Sequence, residues 1–196
     1  MESKQFGQKF KKREVRNTSI YERSLLTRNI TLPISAIGKN IHDTIEKNIA
    51  IQFEGRCVVE GYIQAGSSKI ITYSSGLISG NNVKFEVVFE CKICCPVEGM
   101  LVQCIAKNIT KAGIRAESAD ETPSPIVVFI TRDHHYMSQY FTTIQENSNF
   151  TARIIGQRFE LNDKYVSIIA ELVDPTKERE REKRGGPARP RLVLKN

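Results

Sequence analysis

The stretch at residues 82–100, NVKFEVVFECKICCPVEGM, decides how the rest of the chain is read. Val83, Phe85, Val87, Phe89, Cys91 and Ile93 alternate with Lys84, Glu86, Val88, Glu90 and Lys92. A strand turns successive side chains to opposite faces, so the pattern predicts a long strand with one apolar face and one mostly charged face. Pro96 cannot donate to a ladder, and Gly99 follows it. A second apolar run begins at Met100. The strand therefore reads as the spine of one unit and the joint to the next.

Working upstream, residues 20–32 (IYERSLLTRNITL) fit a first strand that Pro33 stops. Ser35 is placed to cap a helix, and Ile37, Ile41, Ile45 and Ile49 recur every fourth residue as its apolar stripe. That helix is expected to end before Glu54-Gly55. Residues 56–65 and 69–78 read as two further strands separated by Gly66-Ser67-Ser68, and Gly80-Asn81 turns the chain into the long strand. The first unit is thus an α+β sandwich of one helix on an antiparallel sheet.

Downstream of the joint, β runs are expected at 100–107, 111–117, 126–131, 149–160 and 164–173, with a polar connection at 132–148 long enough for a short helix. Five short strands with a longer link between the third and fourth match an all-β OB-type barrel.

Charge sharpens this division. The chain of 196 residues carries a net charge of +7. Residues 1–18 hold six Lys/Arg against two Glu, and residues 176–196 hold eight against three, so the remainder is slightly acidic. The ends read as a disordered basic arm and a flexible basic tail, and the body has no overall positive field to steer a polyanion. No apolar run approaches the roughly 20 residues that span a bilayer, so no membrane partner is expected. The start, MESKQFGQKFKKREVR, has no apolar core of the signal-peptide kind. With five cysteines (Cys57, Cys91, Cys94, Cys95 and Cys104), an odd number, the expectation is an intracellular protein with reduced thiols.

Several chemistries compete for these residues. Cys91-x-x-Cys94-Cys95 has zinc-like spacing, but strand alternation sends Cys91 and Cys94 to opposite faces and no second ligand pair is near in sequence. Core thiols are the expected reading, with no metal and no other cofactor. His134-His135 stand at the end of the third barrel strand without a nucleophile motif, an HExxH or paired carboxylates. No P-loop and no dinucleotide fingerprint is present. The chain reads as a binding module and not an enzyme. OB barrels bind single strands through their second and third strands, using aromatics for stacking and Lys/Arg for phosphates. The candidates are Lys111, Arg115, Phe129, Arg132, His134, His135 and Tyr136, although the second strand, KAGIRAE, has no aromatic. On this ground alone, a free-standing single-stranded RNA-binding protein, such as a translation or RNA-decay factor, fits the chain.

Local strings in order along the chain point further. Pro33 with Ile37-Gly38 is followed by Glu54-Gly55-x-Cys57, Gly61-Tyr62-Ile63, then Gly76, Ile78 and Gly80. Val83-x-Phe85-x-x-Val88-Phe89 and Pro96-x-Glu98-Gly99 come next, then Val128-Phe129-Ile130-Thr131 with His134, His135 and Met137, and last Ser167-Ile168-Ile169-Ala170. Together these resemble the stalk subunits of multisubunit DNA-directed RNA polymerases, the family of the seventh subunit of polymerase II and its archaeal counterpart. The resemblance covers residues 20–174. It implies a polymerase-docking tip domain at 19–96 and an OB-fold domain at 97–175, with the basic arm at 1–18 and the basic tail at 176–196 lying outside both. It implies no catalytic activity, and as partners the polymerase core subunits, a smaller helical stalk subunit and nascent RNA. By position, the docking residues it implies are Ile37, Gly38, Gly61, Tyr62 and Ile63. The terminal extensions depart from the family's pattern and suit the polymerases of large DNA viruses. The implied setting is the nucleus or, for a viral chain, a cytoplasmic viral factory or the virion.

Overall fold

The structure is a computed structural model that describes residues 19–176. The arm expected at 1–18 and all but the first residue of the tail expected at 176–196 lie outside the described residues.

Strand β1 (Tyr21–Pro33) opens the chain and is stopped at Pro33 as expected. The helix does not start at Ser35. Residues 34–36 make a single 3₁₀ turn closed by the Ile37 N–H on the Ile34 carbonyl at 3.1 Å. Helix α1 (Ile41–Phe53) begins only after Gly38 and Asn40, so Ile37 falls outside it and Ile45 and Ile49 are its buried residues. The run at 56–65 is not one strand. It folds back on itself as β2 (Cys57–Val58) and β3 (Gly61–Ile63), turning at Val59-Glu60. The run at 69–78 also divides, into β4 (Lys69–Tyr73) and β5 (Leu77–Ser79). The break falls at Gly76, where a Cβ would lie 2.3 Å from Val83 and 2.7 Å from Phe85. Only a residue without a side chain crosses the sheet that closely.

Strand β6 (Asn82–Cys94) alternates as its sequence demands, with Val83, Phe85, Val87, Phe89, Cys91 and Ile93 all buried. It is the centre of the sheet. One edge pairs antiparallel with β1 along its whole length, from Tyr21↔Cys94 to Pro33↔Asn82. The other edge is shared in turn by β5, β4 and β3. Helix α1 covers the apolar face, where Phe53 stacks on Phe89 at 6.1 Å between ring centroids. Each such side chain taken from water stabilises the fold by about 1.5–3 kcal/mol.

The remaining strands are β7 (Leu101–Ile109), β8 (Gly113–Ser118), β9 (Ile126–Thr131), β10 (Asn149–Arg158) and β11 (Val166–Leu172). They close into a barrel in the order β10-β11-β9-β8-β7, with β11 and β9 parallel and the other pairs antiparallel. A 3₁₀ turn at 133–135 and helix α2 (Gln139–Thr143) fill the long connection between β9 and β10. The architecture is therefore α+β, a helix-backed antiparallel sheet followed by an OB-type barrel, as the sequence predicts. None of the helices among the described residues is long and apolar enough to cross a membrane.

At its end β6 is buried on both faces. Ile93 faces α1 while Cys94 joins Cys57, Tyr62 and Ile20 in the cluster that fills the barrel. Cys57, Tyr62 and Cys94 form a single row across β2, β3 and β6, which explains why the three share one face. Sheet and barrel thus share core residues.

Candidate functional site

The barrel face predicted to contact nucleic acid is built by strand register. Arg115 on β8 pairs with Phe129 on β9, and Phe129 pairs with Ile169 on β11. All three point outward, because their sequence neighbours Ile114, Ala116, Val128, Ile130, Ile168 and Ala170 are buried in the barrel. Phe129 is 40% exposed. Its ring separates two clefts. On one side a cleft of about 310 Å³ runs along the β7–β8 loop, lined by Thr110, Ala112 and Arg115. On the other, a cleft of about 630 Å³ lies under the β10–β11 loop, lined by Gly156, Arg158, Phe159, Asp163 and Ile169. Lys111 is exposed at the tip of the first loop. An apolar ring between two clefts, with guanidinium and ammonium groups on the rims, is the arrangement single strands stack upon.

The other predicted residues divide. Arg132 is tied into the fold: its backbone N–H donates to Ala112 at 2.9 Å and its guanidinium to Thr110 at 3.4 Å. The guanidinium also lies 5.3 Å from the centre of the Phe141 ring. His135 is a clamp. Its Nε2 accepts the Leu172 N–H at 2.8 Å, so Nδ1 carries the proton and donates to the Thr131 carbonyl at 2.9 Å. The ring stacks on Phe141 as well, at 5.6 Å. Both nitrogens are used, so His135 offers a ligand no hydrogen bond. His134 and Tyr136 are exposed and border a separate cleft of about 300 Å³ with Met137 and Arg153. Arg158, Phe159 and Ile169 are additions to the predicted set. The alternation of 166–172 carries a signal for Ile169, but nothing local announces that β11 lies beside β9.

The implied docking residues do not form one surface. Ile37 and Gly38 are exposed at the end of the sheet where β1, β5 and the start of β6 meet. Tyr62 is 6% exposed and packs in the shared core, and Gly61 and Ile63 are also buried. Gly61 has φ +138°, and a Cβ there would lie 2.6 Å from the Cys94 carbonyl oxygen. These three residues hold the sheet to the barrel and present no side chain to a partner. They pair with positions 93–94 at the opposite end of β6 from Asn82, about 35 Å away at strand rise. What does stand beside Ile37 is apolar and exposed: Ile34, Leu77 and Ile78. The Ile34 N–H donates to the Asn81 carbonyl at 3.0 Å, Ile78 pairs with Val83 and Leu77 with Lys84, so the sheet's far end carries exposed apolar side chains on both of its faces.

Burial settles the thiols. Desolvation pushes Cys57 and Cys91 up to about 11, and Cys94 and Cys104 up to about 12. Neighbouring acidic groups add to this at Cys57 and Cys104. Such thiols are inert. Cys95 differs, being exposed at the joint. Among the described residues, the cluster whose ligand atoms lie within 4.8 Å of one another is His42, Asp43 and Glu46 on α1, not the cysteines.

No protein-family model matches the chain. It is 27% identical over 172 residues to a protein of Acanthamoeba polyphaga mimivirus whose name assigns it provisionally as a DNA-directed RNA polymerase subunit, L376. That alignment covers 80% of this chain and 83% of the relative. The chain is 24% identical over 155 residues to DNA-directed RNA polymerase II subunit RPB7 of Glycine max, covering 71% of this chain and 85% of the relative. Alignments of that length extend over both sheet and barrel. The two names bear out the resemblance to subunits of DNA-directed RNA polymerases, the second of them the polymerase II subunit RPB7.

Proposed function

We propose that the chain is a non-catalytic stalk subunit of a multisubunit DNA-directed RNA polymerase, of the kind encoded by a large DNA virus. The observation that carries the reading is the likeness to two polymerase subunits over both halves of the chain. In this reading residues 19–96 dock on the polymerase core, and the docking surface is the apolar end formed by Ile34, Ile37, Gly38, Leu77 and Ile78. Residues 97–175 project toward the emerging transcript. Phe129 stacks a base there while Lys111, Arg115 and Arg158 meet phosphates. A smaller helical subunit completes the stalk. The setting is intracellular, the nucleus or a cytoplasmic viral factory and the virion.

Capture of the tagged chain from its native source tests this. The largest polymerase subunits and a small helical chain are expected in the captured complex. Recovery of the chain with RNA but without polymerase subunits would favour instead a free-standing RNA-binding factor.

A further inference from the structure

The β10–β11 loop forms one wall of the larger cleft beside Phe129, through Phe159, Glu160 and Asp163. Such a loop would ordinarily be anchored only by its own strands. Here its apex is bonded to the sheet domain. The Cys57 N–H donates to the Asp163 carbonyl at 2.8 Å, and the Asn162 N–H donates to the Cys57 carbonyl at 2.9 Å. The loop is shaped for this contact. Asn162 has φ +70°, a conformation Asn tolerates better than most residues, and the Asp163 carboxylate accepts the Glu160 N–H at 2.8 Å. Cys57 is fixed in its turn, since it pairs with Tyr62 in β3 and sits in the core shared by sheet and barrel.

We infer that Asn162 and Cys57 are positioning residues for the nucleic-acid cleft: the sheet domain holds the loop that closes one side of it, so grip on RNA depends on the docking half of the chain. This rests on the RNA-contacting reading of the barrel proposed above. Two backbone bonds orient the wall that carries Phe159, while the phosphate-facing Lys111 and Arg115 stand on the other side of Phe129. Loosening the loop therefore removes stacking enclosure and, of the charge contacts, touches only that of Arg158 at the end of β10.

The test uses the full chain and a single-stranded oligouridylate of about 12 nucleotides, within the usual site size of one OB fold. Asn162→Pro deletes the N–H and forbids the positive φ, whereas Asn162→Gly keeps both. Expected is a loss of at least about tenfold in affinity for Asn162→Pro and a change within about twofold for Asn162→Gly. The slope of affinity against salt changes by no more than about 0.7 in either, because Lys111 and Arg115 keep their phosphate contacts and only Arg158 adjoins the loop. Wild-type affinity in a folded Asn162→Pro chain would overturn the inference, as would an equal loss in Asn162→Gly. Where Asn162→Pro does not fold, amide exchange in the wild-type chain decides. Exchange at Cys57 and Asn162 that slows on saturation with the oligonucleotide supports the coupling, and unchanged exchange overturns it. A wild-type chain that binds no oligonucleotide removes the RNA reading itself, and this inference with it.

Discussion

Replacing both Leu77 and Ile78 by Ala probes the far end of the sheet. Leu77 and Ile78 are 69% and 72% exposed, on opposite faces of β5, so most of their apolar area is still open to a partner that wraps this end of the sheet. Complete burial of a Leu or Ile side chain is worth about 1.5–3 kcal/mol, which leaves about 1–2 kcal/mol for each on docking. Together that is about 2–4 kcal/mol, or roughly 30- to 1,000-fold in the dissociation constant. The free chain should barely notice, because exposed substitutions of this kind change stability by no more than about 0.5 kcal/mol. Leu25 supplies the control. It is as exposed as the pair, but it stands on β1 opposite Glu90, away from that end. Reconstitution of polymerase core with wild-type and variant chains, followed by competition for a limiting amount of core, measures the difference. The double variant should lose the competition while melting at the wild-type temperature, and Leu25→Ala should compete normally. Equal incorporation of the double variant, or an equal defect in Leu25→Ala, would refute the assignment of this end as the docking surface.

Other perturbations follow from the same geometry. Phe129→Ala should weaken single-stranded RNA binding by about 1–3 kcal/mol, the usual worth of one stacked base, and joint replacement of Lys111 and Arg115 by Ala should lower the salt slope by about 1.4. Titration of oligonucleotide at several salt concentrations checks both. Gly61→Ala adds a Cβ 2.6 Å from a backbone oxygen at a positive φ, so strain and overpacking of about 1–3 kcal/mol each should lower Tm by at least about 4 °C in a thermal melt. In the native chain Cys95 alone should react quickly with a thiol reagent at pH 8, and the four buried thiols should react only on denaturation. The Arg28–Glu60 pair, 2.5 Å apart, gives a pH signature. Desolvation opposes the charged Glu60, but the Arg28 hydrogen bond, Glu60's own backbone N–H and the Arg28 charge together outweigh it and hold the carboxyl below its ordinary value. A carboxyl lowered in the folded chain stabilises above its unfolded value of about 4.3, and that contribution is lost as pH falls through the folded value. Urea melts should therefore show Arg28→Ala less stable than wild type at neutral pH, with the gap closing in acid. A gap that does not change with pH would remove the pair as its cause.

Legibility in the sequence follows the range of the forces involved. The strand at 82–94 can be read because alternation is local and one face is buried along its whole length. The exposure of Phe129 is not legible in that way, because 126–131 is an unbroken apolar run in which Val127 is buried as well as Val128 and Ile130. The start of α1 is misleading because the four-residue spacing of isoleucines extends to Ile37, while Pro33 and Gly38 impose a separate turn before the helix. The hairpin at 57–63 is hidden because Val59 and Glu60 read as strand residues, and only the positive φ at Gly61 betrays the reversal. The docking set divides for a different reason. Gly61, Tyr62 and Ile63 enter the set by the position the resemblance gives them, yet pairing with residues 93–94 of β6 buries them against the barrel. Ile169, Arg158 and the clamp from His135 to Leu172 all depend on which strands become neighbours, which a linear pattern does not contain.

The central claim, that this chain is a polymerase subunit, is tested most directly by its stoichiometry in the native enzyme. Polymerase is purified from the native source without a tag on this chain, and the chain is quantified against the two largest subunits through the final sizing step. One copy per polymerase, co-migrating with activity, is the expected result. Polymerase that is fully active and lacks the chain at every step would contradict it.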